Sequence, residues 1–340
     1  MTIIVDGVMT PNPAVTTTTR RREVVVAGVD DTPPSIAAAR WAAEEAHRTA
    51  QQLQLVHSCL VSLTGFPGYD YRADLKALVR SEGRALLART ADELRRRIPG
   101  LEVTTTLERA DPRRSLVEAS EHASVTVLGG QGEGHRHVGA VTSYVTAHAV
   151  SPVAVVPPDT GHPDGPVLVG VNGSTGCQAA IGYAFDEADA RGADLFALHA
   201  WDDPALQWFA RRPVRDDVEE QQEHALLTDQ LTGWPEKHPD VTVRQYVMRG
   251  RPGPALLRCA RHAPLHPQMI VVGGHGRGGL AGFLLGSTGH ILIGHADCPV
   301  VVVRPDPSRL TRRQRRPAGS GDPSPGSTAR WGRRRRRSLR

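Results

Sequence analysis

The chain has few cysteines, and they are scattered. The four cysteines are Cys59, Cys177, Cys259 and Cys298, and no CxxC motif occurs. Zinc sites and disulfide frameworks need cysteines at characteristic spacings, so the sequence argues against both. Single, scattered cysteines are typical of proteins from a reducing compartment, and we expect a cytoplasmic protein.

Long apolar runs are also missing. No stretch of about 18 or more uncharged apolar residues occurs, so we expect no membrane-spanning helix and no membrane partner. The sequence begins MTIIVDGVMTPNPAV, without a basic segment followed by a long apolar core, so no signal peptide is expected.

Several catalytic signatures are absent as well. The sequence has no GK[ST] P-loop, no HExxH and no GxSxG, and no close pair of carboxylates indicates acid–base chemistry. Cleavage of ATP needs metal ligands and a group that orients the attacking water, and the sequence offers neither. We therefore expect a protein that is not an enzyme, with slow hydrolysis of ATP left open.

Positive charge is concentrated at one end of the chain. The net charge is +5, but residues 306–340 contain twelve arginines and two aspartates, and the rest has 29 basic and 34 acidic residues. This tail is rich in Arg, Pro, Gly and Ser, and we expect it to be disordered, like residues 1–22. The run Arg333–Arg337 could contact the phosphates of a nucleic acid, or it could be a solvated terminus.

The chain contains one pattern twice. Asp30 and Asn172 are 142 positions apart, as are His57 and His199, which we expect to be packed or hydrogen-bonded residues at strand ends. The matching stretches are VVVAGVDD and VLVGVNGS at 24 and 167, VTVLGGQGEG and IVVGGHGRGG at 125 and 270, and SPVAVVPP and CPVVVVRP at 151 and 298. A period of this length predicts a duplicated domain.

Strands and helices alternate within each copy. Most strands are continuous runs of Val, Ile and Leu, as expected of strands covered on both faces. The third strands, 101–107 and 241–247, alternate in polarity, so we place them at sheet edges. Residues 74–98 have apolar residues at helical spacing and are predicted to be a surface helix. The order predicts an α/β fold with a doubly wound parallel sheet, which binds ligands beyond the carboxyl ends of its strands.

A glycine-rich stretch without acidic residues, VVGGHGRGGLAGFLLGST (271–288), includes the fourth strand of the second copy. Gly274 and Gly276 allow the backbone to turn sharply and to approach a ligand closely. Nine further residues lead to Gly286 and Ser287, which begin the next predicted helix. A glycine loop followed by a helix N-terminus is a cradle suited to phosphate groups.

A dinucleotide fingerprint is a second interpretation of these glycines. Residues 276–281 formally fit G-x-G-x-x-A. That fingerprint follows the first strand of its unit and precedes an acidic residue about 20 positions later, whereas this loop follows a fourth strand. Tight turns without any ligand are the third interpretation. The spacing favours the phosphate cradle.

The spacing G-x-x-G-x9-G-S, formed by Gly273, Gly276, Gly286 and Ser287, resembles the nucleotide-binding signature of universal stress proteins. The resemblance also includes the VxVGVD-type motif of the first strand, the LxxxHA motif of the second strand and the closing CPVVVVRP. It covers residues 23–158 and 165–305, which we take as two domains, the first with a degenerate nucleotide loop and the second with an intact one.

The resemblance also implies an architecture. Each domain is expected to be Rossmann-like, similar to the adenine nucleotide alpha hydrolases, with strand order 3-2-1-4-5. The last strands, Val153–Val156 and Val300–Val303, would pair across a pseudo-twofold axis and form a pseudo-dimer within one chain. That pairing would cover an apolar sheet edge. Association of whole chains into a homodimer stays open.

In the second copy the resemblance implies a site for ATP or another adenine nucleotide, alone or with Mg²⁺. The expected contacts are Val171, Asn172, Ala200, Val272, Gly273, Gly274, Gly276, Gly286, Ser287 and Thr288. Asn172 stands where the family pattern has an aspartate that contacts the nucleoside. Hydrogen bonds to charged groups contribute about 1.5–3 kcal/mol and neutral ones about 1, so we expect either roughly tenfold weaker binding or a changed base preference. The loop residues Arg277 and His275 could add contacts to phosphate.

The first copy is expected to bind weakly or to be empty. Its matching residues are Asp30, Ser58, Gly129, Gly132 and Ser143. Thr142 is aligned with Gly286, and Glu133 with Arg277. The interval from Ser143 to the following proline is nine residues, against twelve in the second copy, which predicts a shorter helix. A β-branched residue, a shortened helix and an added carboxylate all disfavour phosphate.

Two classes of function follow from this sequence. In the first, the chain is a stress-response sensor or regulator, and a nucleotide in the second copy changes what its protein partners recognise. In the second, the chain is an interaction module that has lost useful affinity for nucleotides, as Thr142 and Asn172 suggest.

Overall fold

The computed structural model describes residues 24–60, 69–130, 138–159, 163–174, 177–201, 216–262, 265–274 and 285–304. Several sequence-based expectations fall outside these ranges: Gly132, Glu133, His275, Gly276, Arg277, and the segments 1–22 and 306–340.

Within the described ranges, each copy has five strands that alternate with helices. The elements of the first copy are β1 Val24–Gly28, α1 Pro33–Arg48, β2 Gln52–Ser58, α2 Tyr69–Arg97, β3 Val103–Glu108, α3 Pro112–Ser120, β4 Ala123–Gly129, α4 Ala140–His148 and β5 Val153–Val156. Those described in the second copy are β6 Val167–Val171, α5 Cys177–Arg191, β7 Leu195–Trp201, α6 Asp216–Leu231, β8 Val243–Arg249, α7 Pro252–Arg261, β9 Met269–Gly273, α8 Ser287–His295 and β10 Val300–Val303.

Proline marks the start of several helices. Pro33, Pro112 and Pro252 begin α1, α3 and α7, where the missing N–H is not needed and the fixed φ suits a helix. Asp111 caps α3, because its carboxylate accepts a hydrogen bond of 2.8 Å from the backbone N–H of Arg113. These local signals place short turns between strands and helices.

All ten strands form one sheet in the order β3-β2-β1-β4-β5-β10-β9-β6-β7-β8. The order is 3-2-1-4-5 in each copy, as predicted. The last strands pair antiparallel, with Val300 opposite Val155 and Val302 opposite Val153, whereas the other pairs are parallel. Antiparallel pairing of equivalent strands confirms the pseudo-dimer arrangement within the chain.

Helices cover both faces of the sheet. One face packs against α1, α2, α5 and α6, and its core includes Leu53, Leu55, Leu94, Phe185, Leu195 and Leu227. The other packs against α3, α4, α7 and α8, and its core includes Val26, Leu116, Val145, Leu168, Leu256 and Leu292. Burial on both faces explains why the inner strands are continuous apolar runs.

The third strand of each copy lies at an end of the sheet, as its alternating sequence predicted. β3 and β8 are mostly exposed or partly exposed, whereas β5 and β10 at the centre are buried throughout.

The predicted surface helix after the second strand is also present. α2 begins at Tyr69, five residues before the predicted start, and it buries Leu87 and Leu94.

The prediction of a shortened helix in the first copy is wrong. α4 and α8 have nine residues each. Gly139 and Gly286 stand immediately before them with nearly equal backbone angles, φ −56° and ψ 148° against φ −59° and ψ 151°. The backbone N–H of Ser143 donates to the carbonyl of Gly139 (2.9 Å), as that of His290 does to Gly286 (3.0 Å). Gly139 is therefore the counterpart of Gly286.

A cluster of buried charges joins the first helices of the two copies. Glu45 and Arg48 lie on α1, and Glu187 and Arg191 lie on α5. Arg48 contacts Glu187 at 2.9 Å, and Arg191 contacts Glu45 at 2.6 Å. Each helix thus supplies one acid and one base to its counterpart, and we call these four residues the inter-copy ion cluster.

Candidate functional site

The carboxyl ends of three neighbouring strands bring the predicted residues of the second copy together. Val171 ends β6, and Asn172 follows it. Val171 is paired in register with His199, next to Ala200 on β7. β9 pairs with the other side of β6 and ends at Gly273. This is the edge of a doubly wound sheet at which ligands bind.

The N-terminus of α8 joins this edge through one backbone contact. The N–H of Gly286 donates to the carbonyl of Gly274 (3.3 Å), so the strand end and the helix cap are in direct contact. Gly286 supplies no capping side chain, and the first turn of α8 has no acidic residue. Ser287 is exposed and Thr288 partly buried. A helix that begins in this way can donate backbone N–H groups to an anion.

Asn172 forms the same turn as Asp30. The Asn172 side-chain oxygen accepts hydrogen bonds from the backbone N–H (3.0 Å) and hydroxyl (2.7 Å) of Ser174. Asp30 Oδ1 accepts from the backbone N–H (3.0 Å) and hydroxyl of Thr32. The other side-chain atom differs in chemistry: in Asp30 it is a second acceptor oxygen, and in Asn172 it is the nitrogen of an NH₂ group, which only donates.

Both strand-end histidines are hydrogen-bonded, as predicted. Nδ1 of His57 lies 2.7 Å from the Val29 carbonyl, and Nδ1 of His199 lies 2.7 Å from the Val171 carbonyl. Because a carbonyl only accepts, Nδ1 donates in both copies.

The second copy adds a partner that sequence reasoning missed. Nε2 of the buried His199 lies 2.8 Å from Oε2 of Glu223 on α6. In the first copy Gly83 faces His57, where an added Cβ would come within 2.9 Å of the ring. Only the tertiary structure brings Glu223 to this strand end, because the helix is 24 residues away along the chain.

In the first copy, Ser143 does not begin the helix. It is the fourth residue of α4, and Ala140 occupies the first position, where the second copy has Ser287. The first copy is three residues shorter between Gly129 and Gly139 than the second is between Gly273 and Gly286, whereas the two helices have equal lengths. The alignments of Ser143 with Ser287 and of Thr142 with Gly286 are therefore corrected, because the backbone hydrogen bonds define a different cap.

Protein contacts account for other residues of the first copy. A Cβ on Gly129 would lie 2.8 Å from backbone atoms of Pro34 and Ser35, so packing against the start of α1 requires a glycine. Thr142 is buried, and its hydroxyl donates to the Gly129 carbonyl at 3.3 Å. The hydroxyl of Ser58 donates to the carbonyl of Ala110.

A separate cavity of about 550 Å³ lies near the opposite edge of the second copy. Its lining includes Gly165, Phe196, Arg244 and Tyr246, near the amino ends of β6, β7 and β8. The rings of Phe196 and Tyr246 are stacked with centroids 5.5 Å apart. Because the cavity is at the amino ends of the strands, it is distinct from the candidate site.

Among the described residues, no group of three or more His, Cys, Asp or Glu side chains has an arrangement that could hold a metal ion. In the same ranges, every helix is too short or too polar to cross a membrane.

Known proteins are similar to this chain in sequence and in fold. A model of the universal stress protein family matches residues 21–157 and again 165–304. A universal stress protein of Mycolicibacterium smegmatis is 37% identical over 283 residues, which are 80% of this chain and 93% of the relative. One from Mycobacterium tuberculosis H37Rv is 37% identical over 284 residues, covering 79% and 93%.

A solved structure has the same architecture. The crystal structure of a universal stress protein from Archaeoglobus fulgidus DSM 4304 has a TM-score of 0.60 and 18% identity, and the match covers 84% of this chain and 99% of that one. At that identity the likeness bears on the fold alone. The two matches to the family model extend over most of the sequence, and the chain belongs to the universal stress protein family.

Proposed function

We propose that this chain binds an adenine nucleotide, ATP foremost, in its second copy and acts as a sensor or regulator in the stress response. The observation that carries the proposal is the contact between Gly274 and Gly286, which joins the strand end to an uncapped helix N-terminus. Membership of the universal stress protein family supports it, as does the G-x-x-G-x9-G-S spacing.

Each part of the proposed site has a role suited to its chemistry. Backbone N–H groups at Ser287 and Thr288 would donate to phosphate oxygens, the Ser287 hydroxyl would add a donor, and Gly286 would hold the cap against Gly274. Asn172 would donate its amide to an oxygen of the ribose. Ala200 would contact adenine through its backbone. The nucleotide would also approach closely the backbone of the remaining expected contacts, which are Val171, Val272, Gly273, Gly274 and Gly276.

The first copy is proposed to be weak or empty. Ala140 lacks the hydroxyl that Ser287 offers, and the loop from Gly129 to Gly139 is three residues shorter than its counterpart. A shorter loop has less backbone to wrap around a phosphate chain. Asp30, Ser58 and Gly132 therefore remain lesser candidates as ligand contacts.

The proposed role is binding, with any hydrolysis of ATP being slow. A bound nucleotide would change the surface of the second copy that partner proteins recognise. We place the protein in the cytoplasm because its four cysteines are free thiols. The domain limits 23–158 and 165–305 belong to the same proposal.

The deciding experiment is equilibrium binding of ATP to the wild type, Gly286→Asp and Gly139→Asp. Aspartate is a favoured N-cap residue, so both variants keep their helix, but each adds a negative charge at the cap. Unit charges about 4 Å apart repel by ~4 kcal/mol at an effective dielectric constant near 20, and salt reduces this. We expect at least about tenfold weaker binding for Gly286→Asp, and wild-type affinity for the matched control Gly139→Asp.

The alternative class has its own outcome. A folded wild type that binds no adenine nucleotide at millimolar concentration would contradict the proposal and favour the interaction module. Equal losses in both variants would instead place the nucleotide in both copies.

A further inference from the structure

Arg304 follows β10 at the edge of the sheet that holds the candidate site. Val303 is paired in register with Gly273, and the Gly274 N–H donates to the Val303 carbonyl at 2.8 Å. Because β9 and β10 are parallel, Arg304 leaves its strand beside the start of the glycine loop. No sequence motif had assigned a role to this residue.

The side chain of Arg304 occupies the space next to Gly274. Its Cγ lies 3.1 Å from the position that a Cβ on Gly274 would take. The carbonyl of Gly274 accepts from the Gly286 N–H. Gly274 thus contacts both the aliphatic stem of Arg304 and the cap of α8. The arginine therefore lies beside the proposed phosphate cradle.

The Arg304 guanidinium has no partner within the described part of the chain. It is partly buried, and it makes no hydrogen bond, ion pair or ring contact with any described residue. Burial lowers the pKa of Arg304 below its ordinary value, with no anion to oppose the effect. Burying an unpaired charge is unfavourable, so an arginine in this state is suited to an anion supplied by a ligand.

The first copy lacks this cation. The Gly130 N–H donates to the Val156 carbonyl at 2.6 Å, as Gly274 does to Val303. The residue that follows is Pro157, whose Cα would lie 3.5 Å from a Cβ on Gly130. The same backbone arrangement therefore carries a charge in the second copy and none in the first.

We infer that Arg304 binds the phosphate chain of the nucleotide and makes affinity increase with the number of phosphates. This inference rests on the proposed function and specifies how the site recognises its ligand. A guanidinium presents several N–H donors in a fixed plane and pairs with phosphate oxygens in a bidentate way. Adenosine offers it no phosphate, so Arg304 should contribute only to nucleotide binding.

The test compares dissociation constants of ATP, ADP, AMP and adenosine for the wild type, Arg304→Gln and Arg304→Lys. We expect Arg304→Gln to bind ATP at least about tenfold more weakly, with adenosine unchanged within about twofold, since the variant removes only a charged contact. Arg304→Lys should recover part of the ATP affinity, because it keeps the charge but loses the planar fork. Salt should weaken ATP binding more in the wild type than in Arg304→Gln.

Arg261→Gln is the matched control. Arg261 is exposed on α7, where it contacts Asp297 at 2.9 Å, and its replacement should leave all four dissociation constants unchanged. Urea unfolding without ligand checks that each variant folds. If Arg304→Gln does not fold, the ATP-to-adenosine ratio of Arg304→Lys decides, and a ratio equal to that of the wild type overturns the inference.

The outcomes separate this inference from the proposed function. If the wild type binds ATP and Arg304→Gln binds it equally well with the same ATP-to-adenosine ratio, the role of Arg304 is wrong while the function stands. If the wild type binds no adenine nucleotide, the function fails and the inference fails with it.

Discussion

The Glu45 carboxylate lies 2.6 Å from the Arg191 guanidinium, although the two residues are 146 positions apart and belong to different copies. Arg48 and Glu187 make the reciprocal contact at 2.9 Å. The Glu45 side chain is 4% exposed and that of Arg191 14%. The two copies are therefore joined by largely desolvated charges as well as by the pairing of β5 with β10.

Removal of one member of the inter-copy ion cluster should destabilise the protein strongly. Loss of one partner of a buried pair leaves an uncompensated charge and costs about 3–5 kcal/mol. We expect Arg191→Met to lower the free energy of unfolding by about 3 kcal/mol in urea titrations. The control is Arg40→Met, whose contact with Glu93 is 45% and 37% exposed. It should lose less than about 1 kcal/mol, and equal losses would contradict a special role for the cluster.

Glu45 should make stability depend on pH. Its pKa is raised from 4.5, first by burial and then by repulsion from Glu187, against the attraction of Arg191 and Arg48. A raised pKa in the folded state means that the native protein holds the proton more tightly than the unfolded chain. The contribution of Glu45 is thus fully present below pH 4.5 and is lost as pH rises through the higher folded pKa.

Glu45→Gln removes this titration and keeps the shape of the side chain. We expect the wild type, but not Glu45→Gln, to lose free energy of unfolding as pH rises from about 4.5. Urea unfolding over a series of pH values gives the two profiles. Parallel profiles above pH 4.5 would show that another group is responsible.

Asp111 should titrate at unusually low pH. Its pKa is lowered from 3.8 to about 2 by hydrogen bonds from the Arg113 side chain and backbone. The stabilisation from this cap is present above pH 3.8 and is lost as pH falls toward 2. In carboxyl-detected NMR titrations we expect the midpoint of Asp111 to move upward in Arg113→Ala. An unchanged midpoint would mean that the backbone bond alone sets the pKa.

Two helical glycines should respond in opposite ways to alanine. A Cβ on Gly182 would lie 2.6 Å from the Trp234 ring, whereas one on Gly294 meets no atom within 4 Å. Alanine favours a helix over glycine by about 1 kcal/mol, but overpacking costs about 1–3 kcal/mol. We expect Gly294→Ala to stabilise the protein by up to about 1 kcal/mol and Gly182→Ala to destabilise it. Urea unfolding measures both changes, and stabilisation by Gly182→Ala would show that Trp234 moves aside easily.

Much of the candidate site could be predicted from spacing, but its alignment between copies could not. The sequence places Gly273, Gly286 and Ser287 correctly at a strand end and a helix start. It also suggested Thr142 as the counterpart of Gly286, because matching Ser143 with Ser287 placed the three-residue difference in the helix. Only the backbone hydrogen bonds from Ser143 to Gly139 and from His290 to Gly286 define the caps.

The partners of charged side chains were also beyond the reach of sequence. Glu223 contacts His199, and the Arg304 stem contacts Gly274, across 24 and 30 positions of the chain. A single Glu or Arg on a helix or after a strand has the same local pattern whether it faces solvent or a neighbour.

By itself, the sequence determined the duplication and the alternation of strands and helices, and its resemblance to universal stress proteins implied the strand order and the pairing of β5 with β10. Continuous apolar runs require cover on both faces, and alternating polarity suits an edge, so the sequence pattern distinguishes covered strands from edge strands. The tertiary structure decided which glycine caps each helix, which carboxylate meets which guanidinium and where the unpaired Arg304 lies. These depend on distances between distant segments, and local pattern contains no information about such distances.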